Sequence, residues 1–441
     1  MRLDPTYLLC YKTGMVSAVI LNERDARRAR GTLDRVRQAL SSSATIEAAR
    51  LGVSPAVVER HQKAVSGMAD DLVAALASYE NAKAGDYSSL VEEWRGEPGM
   101  TLVIARIARG MSQAALAERL GLREQQVQRY EADRYRSISL SNYRKIAGAL
   151  GVEIRAAIRT DAAASFRMSV GDLPDYDAAS LRRVVKHALA QGWIRAPASD
   201  ESAEALLLDY VRDSVGRLGS PTLLRTGLKP LSLDDDLALS VWRARVIEKF
   251  DALEISGQFD PMDISWLPSL VALSRLDDGI TRVPRMLSDH GIAFVYEAHF
   301  TGLRVDGAAL QIDGKPIVAL SLRHDRIDNF WFTLMHELAH VYLHQRMGIE
   351  TGFYDDLDEP GEDQVEDEAD QFASSTLIPD EVWIRSPARI SKDHIAIERF
   401  AENLRISPAI VFGRVRKERN NYKIFHDRVG LGCVRKQLVQ D

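Results

Sequence analysis

Hydrophobic positions along this 441-residue chain recur mostly every three or four residues, the spacing that lays one apolar stripe on an α-helix. Between residues 22 and 40, Leu33, Val36 and Leu40 keep that spacing in a run that Asn22 begins. Ser54-Pro55 reads as a cap followed by a first-turn proline, and it opens a longer run to Lys83 that Gly85 ends. Val57, Val58, Val65, Met68, Leu72, Val73, Leu76 and Tyr79 form its stripe, which suits pairing with a second copy as well as folding back on the chain's own domain. Four further runs, 178 to 194, 201 to 218, 233 to 253 and 264 to 276, predict a helical middle region with little strand character. Near the end, 395 to 403 and 407 to 416 predict two helices, the second opened again by a Ser-Pro pair. Strand signals are confined to 292–296, 307–312 and 316–322, so one small sheet is expected, with Asp313-Gly314 as the turn between its last two strands.

Residues 111 to 131 carry two short apolar stripes separated by one glycine. Ser112 caps the first, Ala115, Leu116 and Leu120 make its inner face, Gly121 stops it, and Val127 and Tyr130 belong to the second. Leu140, Tyr143, Ile146, Ala147 and Leu150 supply a helix to cover the pair. Charge sharpens this picture: the whole chain has a net charge of −6, yet residues 101 to 160 hold eleven Lys or Arg against five Asp or Glu, a local +6. The second short helix carries Glu124, Gln125, Gln128 and Arg129 on its polar face, with Arg123 at its start. In a major groove glutamine pairs with adenine and arginine with guanine, so Gln125 and Arg129 are the expected base readers. Gln113, at the start of the preceding helix, suits a phosphate.

Composition bounds the rest. With 46% hydrophobic residues the chain can build two or three domains with cores. Its two cysteines, Cys10 and Cys433, lie at opposite ends and outside any CxxC pattern, which points to a reducing compartment and away from a cysteine metal site. No apolar run reaches membrane length, and Met1-Arg2-Leu3-Asp4-Pro5 opens no signal-peptide pattern. A soluble, cytoplasmic protein with no membrane partner is expected.

The chemistry concentrates at His336-Glu337-Leu338-Ala339-His340. Histidines four apart share one helix face, so His336 and His340 can hold one ion while Glu337 turns toward a water on it. The flanking Phe330, Trp331, Leu334, Met335, Val341 and Leu343 make the helix apolar nearly all round, hence buried, and its imidazoles and carboxylate then need polar partners. Hydrolytic zinc takes three protein ligands and keeps a fourth position for water, so a third ligand is expected downstream. Glu366-Asp367-Glu368-Ala369-Asp370 offers it: Glu366 as ligand, Asp370 on the same face as hydrogen-bond partner of a ligand histidine, and Glu368 pointing elsewhere. The competing reading is an acidic solvated surface, since residues 351 to 370 hold ten Asp or Glu and no Lys or Arg. His344, one turn beyond His340, reads as support or packing rather than as a ligand. In this scheme Zn2+ lowers its water's pKa to about 7 and Glu337 serves as general base and proton shuttle. Tyr342 is the nearest candidate to help an oxyanion, but a packed aromatic suits its apolar neighbours better. Arg414 and Arg416 read as a solvated face in preference to a DNA or substrate contact. A strand beside the helix would let an extended peptide add to its edge.

These motifs carry two resemblances. Residues from about 280 to 380, with Asp328-Asn329-Phe330-Trp331-Phe332-Thr333 ahead of the HELAH sequence and Leu377-Ile378-Pro379 behind the acidic one, resemble the ImmA/IrrE family of zinc metallo-endopeptidases. Residues from about 99 to 154 resemble the XRE/Cro-type helix-turn-helix domain. The fold then expected is mainly α and multidomain: a helical N-terminal region over 1–95 suited to dimerisation, a five-helix-type helix-turn-helix domain over 96–160, and a linker over 161–176. A helical middle domain over 177–278 and an α+β zincin-like metallopeptidase domain with a small sheet and C-terminal helices over 279–441 complete it.

Together the resemblances imply a regulator bound to double-stranded operator DNA, whose endopeptidase cuts a regulatory protein, either this chain's own linker or a partner repressor; the long N-terminal helices add the expectation of a homodimer. Two alternatives stay open. One is an antitoxin-like repressor, partnered by a toxin, in which the zinc domain is structural or senses a partner. The other is a peptidase whose helix-turn-helix domain docks a protein substrate.

Overall fold

The computed structural model describes residues 20–94, 97–136, 138–152, 176, 178–195, 202–218, 233–298, 300, 303, 305–312, 314–344, 353–355 and 364–438. The expected linker lies outside them except for Tyr176, as does Asp313 of the expected turn. The described residues fall into two compact units, one from 20–41 and 66–152, the other from 42–65 and 176 onward.

In the first unit, Asn22 opens the helix Glu23–Ala39 by accepting a hydrogen bond from the Asp25 amide at 3.0 Å, and Ala26, Ala29, Leu33 and Val36 form its buried face. Helices Pro98–Ala108, Gln113–Leu120, Glu124–Ala132 and Leu140–Ala149 follow. Ser112 caps the second of these through a 3.1 Å bond from the Ala115 amide, and Gly121 ends it at φ +69°, a left-handed conformation that glycine adopts without cost. Met100, Leu102, Val103, Leu116, Leu120, Val127, Ile146 and Leu150 bury together with Tyr79 and Ala82 from the end of the long helix.

That long helix, Pro55–Lys83, is shared between the units: its residues 55–65 belong to the second and 66–83 to the first. Its stripe is divided accordingly. Val57 and Val58 bury beside Trp266, Leu267 and Leu270, while Tyr79 joins the other core and Val73 stays 45% exposed. The helix Ser42–Arg50 ahead of it had no clear signal in the sequence.

The second unit is built on a four-stranded sheet in the order β1-β3-β2-β4, with β1 Ala293–Tyr296, β2 Gly307–Ile312, β3 Lys315–Leu320 and β4 Phe353–Asp355. β3 runs parallel to β1, with Ala293 opposite Ile317, and antiparallel to β2, with Gly307 opposite Leu320. β4 pairs antiparallel with β2. Three residues cannot display a period-two pattern, so the sequence carries no signal for this strand.

Phe294, Ala309, Val318 and Leu320 face the helix Ile327–Leu343. Val295, Ala308, Leu310, Ile317 and Ala319 share a second core with Val184, Leu207, Val211, Leu237 and Trp242 of helices Ala178–Ala190, Ala203–Leu218 and Leu233–Asp251. The stretches expected as a middle domain and as a peptidase domain therefore fall in one unit. The reason is in the strands: β2 and β3 are apolar on both faces, so the sheet needs a cover on each.

Helices His394–Leu404 and Pro408–Glu418 close the unit. Arg414 and Arg416 do not form the solvated face expected of them. Arg414 donates to the carbonyls of Ser374 and Ile378 at 3.1 and 2.6 Å and pairs with Asp380, closing the C-terminal end of the helix Gln364–Leu377. Arg416 is buried and donates to the Tyr422 carbonyl at 2.6 Å.

Candidate metal centre and nucleic-acid interface

The helix Ile327–Leu343 carries His336, Glu337 and His340 through the core, where none is more than 1% exposed. The helix Gln364–Leu377 packs along it through Ala369, Phe372 and Ala373, two of them small enough to let the backbones approach. That approach brings Glu366 Oε2 to 3.2 Å from His336 Nε2 and 3.8 Å from His340 Nε2, with the two Nε2 atoms 3.1 Å apart. A tetrahedral ion with bonds of about 2.1 Å spaces its ligand atoms by about 3.4 Å, a value these separations bracket. Two imidazole nitrogens and one carboxylate oxygen converging on one point are a donor set that fits zinc.

Each histidine is held from behind. His336 Nδ1 lies 3.0 Å from Asp370 Oδ1, which leaves Nε2 for an ion, and Lys417 Nζ holds the other Asp370 oxygen at 2.7 Å. Burial pushes the Asp370 carboxyl up, but the hydrogen bond to His336 and the charge of Lys417 outweigh it and keep it below the usual range. His340 Nδ1 lies 2.9 Å from His344 Nδ1, and His344 Nε2 lies 3.5 Å from Glu368 Oε2. Burial first, then the neighbouring imidazoles, hold His344 uncharged against the pull of Glu368. Glu337 faces the start of β2, where Gly307 stands against its carboxylate. Tyr342 does not face the site: its hydroxyl donates to the Asp263 carbonyl and accepts from Trp266 Nε1, both at 3.0 Å. Lys417 and Gly307 were missed by the sequence reading, because neither lies in a motif and each meets its partner only through tertiary packing.

In the first unit, Arg106 and Glu131, at most 2% exposed, form a two-point ion pair of 2.6 and 2.7 Å that joins the helix before the turn to the end of the second short helix. Gln113, expected on a phosphate, donates its side-chain amide to Glu131 Oε2 at 2.8 Å. Arg123, Glu124, Gln125 and Arg129 are exposed and Gln128 is half-buried, donating to Glu124 at 3.1 Å. Gln113, Glu124, Gln125, Gln128 and Arg129 line one cleft of about 770 Å³ together with Asn22, Arg24 and Arg27 of the first helix. Arg123 stands at the start of the second short helix, its amide donating to Gln126 Oε1 at 3.1 Å.

Among the described residues no helix is long and apolar enough to cross a membrane. No curated protein and no solved structure matches the chain significantly. Two family models do. Residues 102–156 match the helix-turn-helix family, of the XRE type, and residues 289–415 match the IrrE N-terminal-like domain of the M78 peptidases. The chain thus joins a helix-turn-helix domain and an IrrE N-terminal-like peptidase domain in one polypeptide.

Proposed function

We propose that this protein is a cytoplasmic transcriptional regulator that binds double-stranded DNA and carries a zinc-dependent endopeptidase, which cuts a regulatory protein: its own segment between 161 and 176 or a partner repressor. The observation that carries this reading is the approach of Glu366 Oε2 to His336 Nε2 at 3.2 Å inside a domain of the peptidase kind. Zinc held by His336, His340 and Glu366 would supply a Lewis acid and a water with its pKa lowered to about 7.

The chain's own residues do the rest. Glu337, confined by Gly307, takes the proton from the attacking water and returns it to the leaving amine. Asp370 and Lys417 orient His336. The sheet edge at β4 offers backbone groups to an extended peptide, which presents its scissile carbonyl beside the helix. The test is metal analysis of the purified chain followed by a cleavage assay. About one zinc per chain is expected from a three-residue ligand set, lost in His340→Ala. Full zinc in that variant sinks the ligand assignment, and full zinc in Glu366→Gln together with complete loss in Glu368→Gln moves the third ligand to Glu368.

A further inference from the structure

The chain of contacts behind His340 runs beyond the peptidase segment. His340 meets His344, His344 meets Glu368, and Glu368 Oε1 lies 3.2 Å from Lys63 Nζ. Lys63 stands far outside residues 289–415, on the Pro55–Lys83 helix. The first turns of that helix are anchored in the same unit as the metal site. His61 Nε2 lies 2.7 Å from the Pro261 carbonyl, and its ring meets Tyr342 of the HELAH helix edge-on at 5.9 Å between centroids. Arg60 bonds Gln371 on the helix that carries Glu366. Residues 55–65 therefore touch both helices that supply the metal donors.

One assignment of protons is consistent with this chain, in which the 3.5 Å approach of His344 Nε2 to Glu368 is an ion-pair contact that falls short of a hydrogen bond. If His340 gives Nε2 to an ion, its Nδ1 carries the hydrogen and donates to His344 Nδ1. His344 must then carry its hydrogen on Nε2, which faces the Glu368 carboxylate, and Lys63 balances that carboxylate's charge.

We propose that Glu368 and Lys63 are positioning residues of the metal centre, acting through His344 to hold His340 in the tautomer that leaves Nε2 for zinc, so that zinc affinity depends in part on a residue, Lys63, outside the peptidase segment. The inference rests on the metal reading above. Glu368 carries most of the effect, because Lys63 is 73% exposed and an exposed ion pair contributes little.

The experiment measures zinc affinity of the full-length protein by chelator competition and reads the tautomers of His340 and His344 from imidazole 15N shifts. Glu368→Met is expected to weaken zinc about tenfold and to disturb the His344 tautomer. Lys63→Met is expected to weaken zinc by about two- to fivefold, with Lys63→Arg restoring it, and its exposure keeps it informative should Glu368→Met fold poorly. Wild-type affinity in both methionine variants, or weaker binding with unchanged tautomers, overturns the proposal and leaves the metal site standing. A wild-type chain that binds no zinc overturns the metal site and the positioning role together.

Discussion

A β-carbon at Gly307 would lie 2.1 Å from Glu337 Oε1 and 2.8 Å from its Cδ, so β2 admits the glutamate because that position has no side chain. The backbone at Gly307 is not among those with positive φ, and the requirement is therefore for space rather than for a special conformation. Glu337 is fully buried and cannot swing into solvent to make room.

Gly307→Ala should therefore displace the base while leaving the three metal donors in place. Turnover is expected to fall about 100-fold, the scale on which a 1 Å misplacement acts, with zinc content unchanged. Steady-state kinetics alongside metal analysis would check this, and full activity in the alanine variant would show that Glu337 accommodates the methyl group without losing its position.

Glu337→Gln keeps the shape of the side chain and removes its basicity. Zinc and DNA binding should persist while peptide cleavage drops by about 10²- to 10⁴-fold. Cleavage of the target at an unchanged rate would place hydrolysis elsewhere.

Asp370 and Lys417 hold His336 through a carboxylate, with contacts of 3.0 and 2.7 Å. Asp370→Asn is expected to weaken zinc about 10- to 100-fold in a chelator titration, and Lys417→Met less, because its side chain is half exposed. Wild-type affinity in Asp370→Asn would mean that His336 is oriented without it.

Arg106→Met leaves Glu131 buried without its cation, although Gln113 still donates to it. The cost to the helix-turn-helix unit is expected to be about 3–5 kcal/mol, read as an earlier urea transition in that unit. A transition at the wild-type midpoint would show that the pair contributes specificity rather than stability.

Arg129 is exposed on the second short helix, where it also lies over the Tyr130 ring at 5.7 Å. Arg129→Ala should weaken operator binding by about 1–3 kcal/mol and relax base choice at one position, and binding by the wild type should fall steeply with salt. Footprinting would also count half-sites and so test the homodimer. A folded domain that protects no sequence at any salt would favour the protein-docking alternative.

The sequence by itself determined the features whose cause is local. Asn22, Ser112, Gly121 and Ser407 mark helix ends through bonds or dihedrals within a few residues, and the structure starts and stops helices there; Pro55 likewise begins the long helix, although the hydroxyl of Ser54, expected to cap it, makes no hydrogen bond among the described residues. Spacing four apart likewise put His336 with His340, and Glu366 with Asp370, on common helix faces, because helical period is a property of the chain alone. Only the tertiary structure decided which distant groups meet those faces. Lys417 reaches Asp370 and Lys63 reaches Glu368 across 47 and 305 positions, and a charged side chain carries no periodic signal that names its partner. Gly307 beside Glu337, the strand β4, and the middle helices on the outer face of the sheet depend in the same way on packing, since an apolar face states that it must be covered and not by what.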